Sequence, residues 1–174
     1  MGMTDPGGGH GWRSARHLPD PYGRVADRAE RMGEQRPLCL LLLPEEPVPW
    51  AEPLEAAPGV VVVEPPRLSY RSAARLPDAF ADALAVVQAR RMRLPGVPRA
   101  IVLFHPLGYR LARALLGLYP DAELWYGGGG EGPLHDLAEG RADLRFAPGG
   151  DHRPLWERME RLGIESGRLG SERL

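Results

Sequence analysis

The chain predicts an α/β fold: a single Rossmann-like domain with a mostly parallel sheet of about five strands and flanking helices. Three observations carry this. Val60-Val61-Val62-Val63 and Ala100-Ile101-Val102-Leu103-Phe104 are continuous apolar runs without alternation, each closed by proline. Such runs suit a parallel sheet covered on both faces. The second run leads into a helix-like stretch, a further short strand and four glycines, which is the strand, helix, strand, loop order of βαβ folds.

The elements follow in order. Residues 1–34 have turn and linker chemistry, including Pro6-Gly7-Gly8-Gly9, and are expected to form a disordered or weakly helical tail. The domain is expected over residues 35–165, with a flexible tail at 166–174. Residues 38–43 read as the first strand, ended by Pro44. A proline-rich connection follows, with one helical turn near residues 51–56. Residues 60–64 form the second strand. Residues 77–93 read as a helix, with Asp78 at its positive end and Arg90, Arg91 and Arg93 in its last turn. Leu76, Phe80, Leu84 and Val87 fall at helical spacing and are expected to be its buried stripe.

Pro95-Gly96-Val97-Pro98 is expected to break the chain before a third strand at residues 101–104. Leu107, Leu111, Leu115 and Leu118 mark the next helix. Residues 124–126 and 144–146 read as the fourth and fifth strands, with a short helix or turn at 135–139 between them. Leu155, Trp156, Met159 and Leu162 give the stripe of a last helix.

Composition bounds the chemistry. All 22 basic residues are arginine, the pattern of a GC-rich, bacterial-type coding sequence. Without lysine, neither Schiff-base catalysis nor a phosphate-loop lysine is available from these residues. Cys39 is the single cysteine, which excludes an intrachain disulfide and a multi-cysteine metal site. It lies in a leucine run and is expected to be a small buried hydrophobe. Neither a signal peptide nor a membrane-spanning stretch is read, so the expectation is a cytoplasmic protein, with contact to a membrane surface left open. His10 and His17 lack a third ligand at sensible spacing, and no metal or cofactor is expected.

The net charge of -1 hides a segregation. Residues 67–113 carry nine arginines against Asp78 and Asp82, a local charge of +7. That segment either solvates two helix faces or meets an anionic partner. No nucleic-acid partner is expected.

His105 stands at the carboxyl end of a strand, where doubly wound folds place ligand contacts, and is the catalytic candidate. The alternative is a structural histidine in the turn set by Pro106. Glu64, at another strand end, is the nearest carboxylate and a substrate-binding candidate. Tyr109 and Arg110 begin the following helix, where an arginine can hold a phosphate or carboxylate bidentately. Trp50 and Trp125 are flat enough to stack on a sugar or base, or to anchor the core. Gly127, Gly129 and Gly132 match G-x-G-x-x-G spacing, which makes the run Gly127, Gly128, Gly129 and Gly130 a candidate phosphate-binding loop. Its place after the fourth strand, Glu131 inside it and Pro133 beyond it argue instead for a connector.

Taken together, Val48-Pro49-Trp50, Val60-Val61-Val62-Val63-Glu64-Pro65-Pro66, Val102-Leu103-Phe104-His105-Pro106, Leu111-Ala112-Arg113-Ala114-Leu115-Leu116 and Glu123-Leu124-Trp125-Tyr126 have a familiar order. Over residues 37–148 the chain resembles the N-terminal Rossmann-like half of GT-B glycosyltransferases with a family-4-like N-terminal domain. The resemblance implies a domain that binds the sugar acceptor, while a second half binds the nucleotide sugar and transfer occurs between them. It carries Glu64 and His105 over as acceptor-side contacts. Relatives often have an aspartate soon after the tyrosine, where this chain has Gly127–Gly130. Too few residues follow Phe146 for a second half, so the expectation is a truncated relative or one completed by a second chain. The other reading is a non-catalytic module that binds an anionic partner through its arginine-rich middle.

Overall fold

The computed structural model describes residues 36–44, 48, 51–63, 70–147 and 149–167. The expectations for residues 1–34 and for 168–174 lie outside them. Five strands form one all-parallel sheet: β1 (Pro37–Leu42), β2 (Val60–Val63), β3 (Val97–Leu103), β4 (Glu123–Tyr126) and β5 (Leu144–Arg145), in the order β2-β1-β3-β4-β5. Among the described residues six α-helices accompany them: α1 (Glu52–Glu55), α2 (Tyr70–Ala73), α3 (Asp78–Arg91), α4 (Tyr109–Leu118), α5 (Pro133–Arg141) and α6 (Arg153–Arg161).

The strand order reverses at β1: the chain steps outward to β2, then returns past β1 to β3, β4 and β5. Right-handed crossovers that travel in opposite directions must lay their helices on opposite faces of the sheet. Two separate cores result. Leu40, Leu42, Ile101, Leu103 and Leu124 point toward α3, α4 and α5. Cys39, Leu41, Ala100, Val102 and Trp125 point toward α1 and α6. The alternation along β1 and β3 therefore feeds two apolar layers, which is why these strands read as unbroken apolar runs. Cys39 is buried, and desolvation pushes its thiol up to about 12.

Most elements match the sequence reading within a residue or two. Two differ for physical reasons. Val97 and Pro98 join β3 instead of breaking the chain before it: Val97 pairs with Pro37, Pro98 pairs with Leu38, and the register shifts between Leu38 and Cys39. A proline near the start of a strand removes one ladder donor, and the shift beside it leaves Arg99 as an extra residue of β3.

The second difference concerns α3. Its buried residues are Ala81, Ala85 and Ala89, whereas Phe80 is 68 % exposed and Leu76, Leu84 and Val87 are also exposed. The helix carries two stripes at the same spacing, one small and one large. It packs by the small one, because alanines let its backbone lie close to α4 and the sheet. Asp82 fixes that rotation: it receives Arg110 Nη1 at 2.6 Å and Arg113 Nη2 at 2.7 Å, both from α4.

At the amino ends of the strands, α6 is held by charge. Arg158 reaches Glu123 through Nε at 2.7 Å and Nη2 at 2.5 Å, and Trp125 Nε1 donates to the same carboxylate at 2.8 Å. The segment after α6 closes the domain: Gly59 N–H donates to the Glu165 carbonyl at 2.7 Å, Arg36 pairs with the Glu165 carboxylate, and Ile164 and Ser166 are buried.

Candidate functional site

The strands end in one row. Val63 pairs with Leu42, Leu42 with Leu103, and Leu103 with Tyr126. Leu43, Phe104 and Gly127, which follow β1, β3 and β4, therefore lie on a rim at the carboxyl edge of the sheet. In doubly wound sheets this edge holds ligands, above all where the strand order reverses, which here is between β1 and β3.

His105 lies on that rim, two residues past β3, and its side chain is exposed. It caps the 3-10 turn Pro106–Gly108: its Nδ1 accepts the Leu107 N–H at 3.2 Å. With Nδ1 accepting this N–H, the neutral ring carries its proton on Nε2, and taking a proton at Nδ1 requires the cap to open. The turn packs against α2 and α5, so the loops after β3 and β4 adjoin.

The glycine run leaves the end of β4 beside it. Gly127 N–H donates to the Leu103 carbonyl at 3.0 Å, extending the ladder. Gly127 and Gly128 are held by close packing: a Cβ on Gly127 would lie 2.0 Å from the Phe146 ring, and one on Gly128 would lie 2.6 Å from Tyr126 Oη. Gly129 and Gly130 face open space, and Gly130 has φ +133°. The run thus has an anchored half and an open half, followed by Gly132 and Pro133 at the start of α5.

The structure adds a cluster that the sequence reading missed. Tyr126 Oη and His135 Nδ1 share a hydrogen bond at 2.9 Å, and His135 Nε2 stands 4.0 Å from Glu139 Oε2. With a carboxylate near Nε2 the proton belongs on that nitrogen, so the phenol donates to Nδ1. Burial, and then the Glu139 charge, push the Tyr126 phenol up from its usual value, which keeps it a donor. The i, i+4 spacing of His135 and Glu139 was the signal available in the sequence; its relation to Tyr126 needs the turn through the glycines.

Other candidates stand elsewhere. Tyr109 is buried in the core. Arg110 is committed to α3, where it binds Asp78 Oδ1 at 2.5 Å and Asp82 Oδ1 at 2.6 Å. Trp125 is fully buried and serves the core. Glu64 and Trp50 lie outside the described residues. Among the described residues, no group of three His, Cys, Asp or Glu side chains is placed to hold a metal, and no helix is long and apolar enough to cross a membrane.

Fold and rim together define an α/β chain with one five-stranded parallel sheet, Rossmann-like in character. Comparison with protein-family models, curated proteins and solved structures returns no match for it.

Proposed function

We propose that this chain is a glycosyltransferase-like acceptor-binding domain that works with a second chain supplying the nucleotide sugar. The observation that carries the reading is the position of His105, exposed at the rim beside the reversal of strand order, with its ring oriented by the Leu107 amide. The strand order also fits: a Rossmann order of 3-2-1-4-5-6 that lacks its third strand becomes 2-1-3-4-5 when renumbered.

In this reading the acceptor lies across the rim. The exposed His105 ring faces the acceptor there. The open half of the glycine run, Gly129–Gly130, lets the acceptor approach the backbone without meeting a side chain. The acceptor hydroxyl would attack the anomeric carbon of the sugar, the bond to the nucleotide diphosphate would break, and the hydroxyl proton would leave to a base. Nδ1 of His105 becomes that base only if the turn opens.

The test is a thermal-shift series with simple sugar acceptors, nucleotide sugars and plain nucleotides. An acceptor at 100 times its Kd adds about 2.7 kcal/mol, a shift of several degrees that His105→Ala should abolish while leaving unliganded stability within about 1 kcal/mol. Shifts with nucleotide sugars alone, or acceptor shifts that survive the substitution, would reject the assignment.

A further inference from the structure

The outward face of α3 is a second surface, independent of the acceptor reading. Phe80, Leu84 and Val87 are respectively 68 %, 44 % and 45 % exposed and form one apolar stripe on a helix that already packs by its opposite, alanine side, and Leu76, 36 % exposed, lies just before the helix. The charges around it are one-sided. Asp78 and Asp82 are taken up by Arg110 and Arg113 of α4. Arg75 before the helix, and Arg90, Arg91 and Arg93 at its end, are exposed and enter no ion pair among the described residues. Beside the stripe, α3 and α4 flank a groove of about 300 Å³ with Val86 and Leu118 on its apolar side and Arg90, Arg110, Arg113 and Asp82 on its charged side, the carboxylate already pairing with Arg110 and Arg113.

We propose that this face docks on an anionic lipid bilayer. The stripe enters the boundary between headgroups and acyl chains, and the arginines at both ends reach lipid phosphates. Exposed apolar side chains flanked by cations complement an anionic lipid surface, and long arginine side chains can bury their stems while their charge stays at the phosphate level. A second copy of the chain fits poorly. Antiparallel pairing along the stripe sets Arg75 against Arg90 and Arg91 of the other copy, and parallel pairing sets Arg90 and Arg91 against their equivalents. Both arrangements bring like charges together along an apolar seam.

The test is co-sedimentation of the full chain with vesicles of phosphatidylcholine alone, and with vesicles containing phosphatidylglycerol. Binding is expected to the anionic vesicles only, and to weaken as salt is raised. The double variant Phe80→Ser/Leu84→Ser and the double variant Arg90→Gln/Arg91→Gln should each lower partitioning about tenfold or more, by removing buried apolar area or phosphate contacts. Both should keep the thermal midpoint of the parent, because these side chains are exposed. Several results overturn the proposal: equal partitioning to neutral and anionic vesicles, no partitioning to either, or undiminished binding by both variants. Concentration-dependent self-association without vesicle binding, abolished by the Phe80→Ser/Leu84→Ser change, would assign the face to a second copy instead.

Discussion

Gly127 and Gly129 show how one run of identical residues divides its work. Gly127 lies against the Phe146 ring, where a Cβ would stand 2.0 Å from a ring carbon, so Gly127→Ala forces the ring or β4 to shift. Overpacking of this kind costs about 1–3 kcal/mol, and the denaturation midpoint should fall accordingly. Gly129 has nothing within 4 Å of such a Cβ. Gly129→Ala should change stability by less than about 0.5 kcal/mol, and any loss of acceptor-induced thermal shift in that variant reports on ligand approach. Glu123 gives a pH prediction. Burial raises its pKa, but the hydrogen bonds from Arg158 and Trp125, with the charges of Arg158 and Arg161, outweigh that and hold it below the usual range. A carboxyl lowered on folding stabilises the fold above its unfolded pKa of about 4.3, and loses that contribution as pH falls through the folded value. The urea midpoint of Glu123→Gln should therefore drop less than that of the parent between pH 6 and pH 3, each of these being about the pH at which the test is read. Equal drops would remove Glu123 from the acid response.

At the scale of elements, α3 carries the clearest lesson. Its large apolar residues and its alanines share a helical period, so spacing alone leaves two rotations of the helix open. The rule that large apolar residues go inside selected the stripe that the fold exposes. What decides the rotation is the contact with α4: Ala81, Ala85 and Ala89 permit close approach, and Asp82 aligns with Arg110 and Arg113. Ala85→Leu should destabilise by about 1–3 kcal/mol through overpacking, whereas Phe80→Ser should stay within about 0.5 kcal/mol. Chemical denaturation of the two variants checks the assignment, and the reverse order of effects would restore the stripe first read from spacing. β3 teaches a related point. Pro98 reads as a breaker, yet it lies inside the strand, where the register with β1 shifts beside it and leaves Arg99 as an extra residue of β3.

At the scale of the whole molecule, the chain's own pattern determined the class of fold. Continuous apolar strands with helical periods between them permit little besides a parallel sheet covered on both sides, and the structure has five such strands. The candidate site was legible only in part. His105 could be placed at a strand end because strand, proline and helix follow one another locally. The Tyr126–His135–Glu139 cluster depends on how the loop after β4 folds back, and Arg110 turned out to serve the α3–α4 contact. Periodicity and punctuation are local properties, so the sequence by itself determined most strands and helices and a mostly parallel sheet, while α2 and the start of β3 went unread. Strand order, the alignment of strand ends into one rim and the face that α3 buries depend on contacts between distant segments. Only the tertiary structure decided those, because close packing and charge pairing select among arrangements that local pattern leaves equally open.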